Sequence, residues 1–238
     1  MQPNRFPQSS VRNSVSYDAG LRTYFERVYN VMALGLVVTG AVAYGVASVP
    51  DLFKMFHGSV LGIAIALAPL GIIFFGLNPS KIHSLSVTAV TGLYFLLTAL
   101  FGVSLSYIFL LYSSESIARV FFVTSGMFAA TSLYGYTTKK DLSSMGSLMM
   151  MGLIGIIIAG LVNIFLQSSM VQFVTSVMGV IIFTGLTAWD TQAIKETYNG
   201  SNGSQINAKM AVMGALSLYL NFINLFVMLL RLMGNSRD

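Results

Sequence analysis

Seven long apolar runs constrain the fold of this chain more than any other feature of its sequence. A helix that crosses a bilayer needs about 20 consecutive residues that are mostly apolar. Each run meets that requirement, and turn-forming or polar residues separate it from the next. Pro69 lies inside the second run, where we expect it to kink the helix because proline removes one backbone hydrogen bond. The predicted spans are Val28–Val49, Ser59–Leu77, Leu85–Tyr112, Ile117–Tyr136, Met145–Leu166, Val171–Ile194 and Ala208–Leu232.

The composition agrees with a membrane protein that is entirely helical. Hydrophobic residues make up 55% of the chain and charged residues only 9%, against about 25% charged in an average soluble domain. The runs do not alternate between apolar and polar residues as barrel strands do. The fold class predicted is therefore an all-α polytopic membrane protein, a bundle of seven transmembrane helices. A pI near 9.5 is explained by basic loops on the cytoplasmic side, so we expect no nucleic-acid partner.

The loop charges predict the orientation and the domain boundaries. With the amino terminus inside, nine of the 13 Lys and Arg residues fall on the inner side, as the positive-inside rule requires. We expect a polar, mobile cytoplasmic tail over residues 1–27 without a signal peptide, a transmembrane domain over 28–233 and a short tail over 234–238. Seven spans place the carboxyl terminus outside. Six spans with a re-entrant last segment would place Arg231 and Arg237 inside and increase the charge bias further, so this alternative stays open.

Asp190 is the acidic residue that hydropathy places within a predicted span. A charge at the centre of a bilayer costs about 2.5–3.5 kcal/mol on insertion scales, so such a residue faces protein or water. The alternative is that the sixth helix leaves the membrane just after Asp190, before Lys195. In that case Asp190 is an interfacial residue that pairs locally.

Polar residues on the last two predicted helices can meet Asp190. Residues three or four apart share a helix face, which places Thr187 beside Asp190 on the sixth helix. On the seventh helix, Gly214, Ser217, Asn221 and Asn224 form one polar stripe. Because a short loop joins these helices, we expect them to pack antiparallel and to bring Asp190 close to Ser217 and Asn221. A carboxyl group in such surroundings is expected to titrate near neutral pH and to open or close a plug on the cytoplasmic side.

Four segments of the chain share a distinctive pattern with a known family. They are Val28–Leu36 (VYNVMALGL), Tyr134–Leu142 (YGYTTKKDL), Thr187–Lys195 (TAWDTQAIK) and Leu216–Phe226 (LSLYLNFINLF). Together these segments resemble the Bax inhibitor-1 (TMBIM) family, and its bacterial branch in particular. The resemblance covers the chain from about residue 20 onward. It implies a fold in which six helices surround the seventh, a location in the bacterial inner membrane and a pH-sensitive calcium leak. In eukaryotes it also implies suppression of cell death, and some bacterial relatives modulate a membrane-anchored AAA protease.

The family's pH sensor is a pair of aspartates, and this chain departs from it at one position. The first aspartate matches Asp190, whereas the second matches Asn221. Two carboxylates that share a proton repel each other, and an Asp–Asn pair lacks that repulsion. We therefore hypothesise that this protein keeps the geometry of the gate with a lower or shallower pH response. In relatives a cation can pair with the first aspartate, and its nearest counterpart here is Lys81. An interfacial charge is nevertheless the favoured interpretation of Lys81.

The residues around Asp190 bear on three functions. A passive cation pathway, with calcium as the permeant ion held transiently at Asp190 and no cofactor, suits one carboxylate among amides, hydroxyls and carbonyls. A non-catalytic regulatory partner of an AAA protease or another membrane complex is the alternative, which deletion of residues 1–27 would test. An intramembrane aspartyl protease needs two carboxylates that share a proton. Only one lies within the predicted spans, so we expect no enzymatic activity.

Overall fold

The computed structural model describes residues 8–57, 60–82, 84–200 and 202–235, and these residues form helices joined by short turns. The bounds of the helices follow in chain order. They are α1 (Gln8–Ser48), α2 (Pro50–His57), α3 (Val60–Gly71) continued by a π-helix (Ile72–Gly76), α4 (Pro79–Ile82), α5 (Val87–Leu105), α6 (Ile108–Leu111), α7 (Ser114–Thr137), α8 (Ser143–Leu166), α9 (Ser169–Thr197) and α10 (Ser204–Met233).

The described residues contain six helical segments that are long and apolar enough to cross a membrane, and a bent pair supplies a seventh candidate. This pair consists of α2 with α3 and its π-helix, whose axes are bent by 73°. The helix changes from α to π three residues after Pro69, where the missing amide of proline interrupts the regular bonding. The last segment is one continuous 30-residue helix, so the alternative of a re-entrant last segment was wrong.

Helix α10 lies at the centre of the bundle. Within its most apolar stretch, 67% of the residues are buried, whereas the corresponding share in α8 is 0%. It packs against α9, α1, α7 and α5, and Tyr219 on α10 shares a hydrogen bond of 2.7 Å with Thr39 on α1. Neighbouring helices, and not lipid, therefore cover most of its surface. This arrangement confirms the central last helix that the resemblance implied.

The predicted boundary at residue 28 does not coincide with a structural one. Helix α1 begins at Gln8 and continues to Ser48 without a break. Leu21, Tyr24 and Phe25 are buried in the core, and the ring of Tyr24 lies 5.3 Å from that of Tyr198, beyond the end of α9. Residues 17–27 therefore belong to the helical bundle and not to a mobile tail, because their aromatic side chains pack between helices. The first seven residues of the predicted tail lie outside the described residues, as do 236–238.

Candidate functional site

Asp190 and Asn221 lie against each other at the contact between α9 and α10. The amide Nδ2 of Asn221 donates a hydrogen bond of 2.6 Å to Oδ2 of Asp190. Asn221 is buried with 5% of its surface exposed, and Asp190 is half-buried. The two helices pack antiparallel along their length, as predicted, so residues that are 31 positions apart in the sequence meet at one level. A hydrogen bond to an ionised acceptor is about twice as strong as one between neutral groups.

The pair lies at one end of a cavity with a volume of about 650 Å³. Thr175 and Arg231 line the cavity at its other end. Asp190 and Thr175 are separated by fifteen positions on α9, which corresponds to about 22 Å along a helix. The residues that line the cavity therefore extend along much of α9, from Asp190 to Thr175.

Ser217 and Asn224 also line this cavity, on the side formed by α10. Asn224 donates its amide to the carbonyl oxygen of Leu220 on its own helix, at 2.8 Å. The side-chain oxygen of Asn224 and the second hydrogen of its amide remain available to a solute. The polar stripe predicted on the last helix thus lines the cavity with both donor and acceptor groups.

Two residues predicted to support the pair are placed elsewhere. The hydroxyl of Thr187 is buried and donates to the carbonyl oxygen of Phe183 on its own helix, at 2.7 Å, so it does not line the cavity. Lys81 donates from Nζ to the carbonyl oxygen of Phe75 at 3.3 Å, and its side chain is exposed. Within the described part of the chain, the ion pairs that form do not include Lys81 with Asp190. The interfacial reading of Lys81 therefore agrees with the structure better than the pairing does.

Sequence reasoning missed the roles of Gln192 and Lys195, which fasten α9 to the loop between α7 and α8. Gln192 accepts a hydrogen bond from the backbone N–H of Leu142 and donates one to the carbonyl oxygen of Lys140, both at 2.8 Å. Lys195 donates to the carbonyl oxygen of Tyr136 at 2.9 Å and lies 4.9 Å from the centre of that ring. The segments Tyr134–Leu142 and Thr187–Lys195 are thus in direct contact, which holds the carboxyl-terminal end of α9 in place.

Lys209 was also missed, because its position near the start of α10 suggested a loop charge. It is buried, with 7% of its surface exposed. Its Nζ atom donates to the carbonyl oxygens of Ile82 and Leu85, at 3.0 and 3.2 Å. A buried ammonium group is stable only when its hydrogens are bonded. Lys209 therefore ties the beginning of the central helix to the segment between α4 and α5.

A calcium ion at this site would depend on few oxygen atoms. Across the described ranges, no three His, Asp or Glu side chains lie close enough together to hold a metal ion. The oxygens that line the cavity near Asp190 come from its carboxylate and from Ser217, Asn221 and Asn224. Calcium takes about six to eight oxygen ligands when it is tightly bound. The arrangement suits brief occupancy by an ion that keeps most of its water.

Comparison with known proteins identifies the family. The family profile described as "Inhibitor of apoptosis-promoting Bax1" matches residues 21–238. The chain is 44% identical to the inner membrane protein YbhL of Escherichia coli over 242 residues, which cover 98% of this chain and 100% of that protein. It is 46% identical to an uncharacterized protein of Rickettsia prowazekii over 226 residues, with 94% of both chains covered. This multi-pass membrane protein therefore belongs to the Bax inhibitor-1 family.

Proposed function

We propose that this protein is a pH-sensitive calcium-leak channel of the bacterial inner membrane, gated at Asp190 beside Asn221. The observation that carries the proposal is the 2.6 Å hydrogen bond from Asn221 to Asp190, which joins α9 to the central helix at the end of a long cavity. A bond at this position holds α9 and α10 together beside the cavity. A change in that bond is therefore a direct means of opening or closing the route of the permeant ion.

Protonation of Asp190 changes the bond because it changes what each partner can donate. Ionised Asp190 accepts from the amide of Asn221, and the bond carries a charge. Protonated Asp190 has a hydrogen of its own, which it can donate to the side-chain oxygen of Asn221. The neutral pair is weaker and differently oriented, so the contact between α9 and α10 depends on pH.

The oxygen atoms around the pair support calcium as the permeant ion. One carboxylate attracts a divalent cation, and the amide and hydroxyl oxygens of Ser217, Asn221 and Asn224 lie along the same cavity. This set is too small to hold the ion tightly. Weak binding suits passage, since an ion that is held strongly leaves slowly.

The test is calcium flux into liposomes that contain the purified full chain, measured at several pH values. We expect a flux that varies with pH in the wild type and a flux without pH dependence in Asp190→Asn. Asp141→Asn is the matched control, because Asp141 lies in the loop between α7 and α8, where the pKa of its carboxyl is lowered by a hydrogen bond from Ser143. It should keep the wild-type profile. Absence of pH-dependent flux, or an unchanged profile in Asp190→Asn, would contradict the proposal and favour a regulatory partner of a membrane complex.

A further inference from the structure

The cavity beside Asp190 is much larger than an ion requires. Its volume of about 650 Å³ falls within the range of roughly 300–1,000 Å³ that is typical of sites for drug-sized molecules. Such sites combine extended apolar walls with a few polar groups that fix the orientation of the ligand. This cavity has the same construction, since most of its lining residues are apolar and a few polar residues lie towards its two ends.

Its polar end presents acceptor atoms and one negative charge. Asn221 donates one amide hydrogen to Asp190, and Asn224 donates one to the carbonyl oxygen of Leu220. The side-chain oxygens of both residues can still accept from a ligand, beside the carboxylate of Asp190 and the hydroxyl of Ser217. The other charged group that lines the cavity is Arg231, which lies ten residues beyond Asn221 on α10, or about 15 Å along the helix. A cationic donor is the group that complements the end at Asp190.

The walls beyond this end are apolar and come from separate pairs of helices. Met150 and Leu153 belong to α8, which packs on α9, whereas Leu70 belongs to α3, which packs on α5. Phe101 on α5 adds an aromatic surface. The outer face of α8 is exposed along its length, as expected for a helix in contact with lipid. Apolar residues of α3, α5 and α8 therefore form the walls against which the body of an amphiphilic molecule can pack.

We propose that this cavity binds amphiphilic organic ammonium ions, with the ammonium group at Asp190 and the apolar body against Met150, Leu153 and Phe101. The ammonium donates to the carboxylate and to the neighbouring amide and hydroxyl oxygens. The apolar body replaces water or lipid along the walls. This binding does not depend on calcium leak, because it requires only the cavity and the charge of Asp190.

The test compares 4-phenylbutylamine with 4-phenylbutan-1-ol, a neutral molecule of nearly the same shape. Binding is measured by titration calorimetry at pH 7 on the full chain in lipid nanodiscs, with empty nanodiscs as the blank for partition into lipid. The amine is protonated at this pH, as lysine is. We expect it to bind at least about tenfold more tightly than the alcohol, because a charge-assisted hydrogen bond raises binding affinity by about tenfold or more. Asp190→Asn should remove this difference by weakening the amine alone.

A second pair of variants tests where the probes bind, independently of the charge of Asp190. Leu153→Trp fills the apolar part of the cavity, and we expect it to weaken both probes by roughly tenfold, as a bulky side chain displaces a ligand that fits one pocket. Ile158→Trp is its control on the same helix, because Ile158 is 56% exposed and does not line the cavity. It should leave both affinities unchanged. Equal affinities for amine and alcohol, an amine affinity that Asp190→Asn does not reduce, or full binding by Leu153→Trp would overturn the inference.

Discussion

The chemistry of the site is decided by a single atom at residue 221. Asparagine presents an N–H group to Asp190, so the pair is stable while Asp190 is ionised. An aspartate at the same position would present an oxygen, and two ionised oxygens at hydrogen-bond distance repel each other. Such a pair holds together only when one carboxyl keeps its proton. The amide therefore removes the requirement for a shared proton that the family's aspartate pair has.

Asn221→Asp should make the contact between α9 and α10 more sensitive to pH. At low pH the two carboxyls share a proton and the helices stay joined. As pH rises, the proton is lost and repulsion separates them, so stability falls in the variant over a range where the wild type changes little. We expect the pH profile of calcium flux to be steeper and centred at higher pH, and the unfolding temperature to fall with rising pH. Identical flux and unfolding profiles in the two proteins would contradict this account.

At the scale of the helices, close packing occurs at particular glycines and not at every pair of small residues. Gly135 on α7 lies against the backbone of Ala188 on α9, and Gly146 on α8 lies against the ring of Trp189. In contrast, Gly45 and Gly155 have open space where a side chain would point, although both belong to pairs of small residues four positions apart. The contacted residues Ala188 and Trp189 immediately precede Asp190 in the sequence, so these contacts fix the position of α9 near Asp190.

Gly135→Ala and Gly155→Ala should therefore have opposite effects on stability. An added methyl group at Gly135 meets the carbonyl oxygen of Ala188, and overpacking of this kind costs about 1–3 kcal/mol. At Gly155 nothing lies within 4 Å, and alanine is a better helix former than glycine by about 1 kcal/mol. Thermal unfolding followed by the fluorescence of Trp189 measures both, and Gly135→Ala should unfold at lower temperature. An unchanged unfolding temperature in Gly135→Ala would show that α7 and α9 can move apart without cost.

At the scale of the whole molecule, the bent pair of α2 and α3 determines the topology. If the pair crosses the membrane, the chain has seven spans, and its termini lie on opposite sides. If it enters and returns, six spans leave both termini on one side. The excess of basic residues in the predicted inner loops predicts an amino terminus in the cytoplasm, and we expect seven spans.

Single-cysteine labelling tests this topology directly, because the natural sequence contains no cysteine. Ser10→Cys and Ser236→Cys place one thiol near each terminus. A maleimide that does not cross membranes should label intact cells through position 236 only, and inverted vesicles through position 10 only. Labelling of both positions from the same side would mean that the bent pair does not cross the bilayer.

The membrane class, the helices and Asp190 as a candidate could all be predicted from the sequence. A span is a local property, because about 20 apolar residues are enough to define it. The predicted starts and ends of α7, α8 and α9 differ from the observed ones by only a few residues. Burial of Tyr24 and Phe25 could not be predicted in this way. Polar residues surround them in the sequence, and the face that they form is buried only because a neighbouring helix packs against it.

The partners of each polar side chain were decided only by the tertiary structure. Helical spacing put Thr187 and Asp190 on one side of α9, yet the hydroxyl of Thr187 bonds to its own backbone, while Asp190 reaches α10. Lys209 and Lys81 are both lysines near the inner ends of helices, and only Lys209 is buried. These outcomes depend on how helices rotate and approach one another, which is set by contacts between residues far apart in the chain. The sequence by itself therefore determined a helical membrane protein with a carboxylate inside it, and packing around α10 decided that this carboxylate meets Asn221 at the end of a cavity.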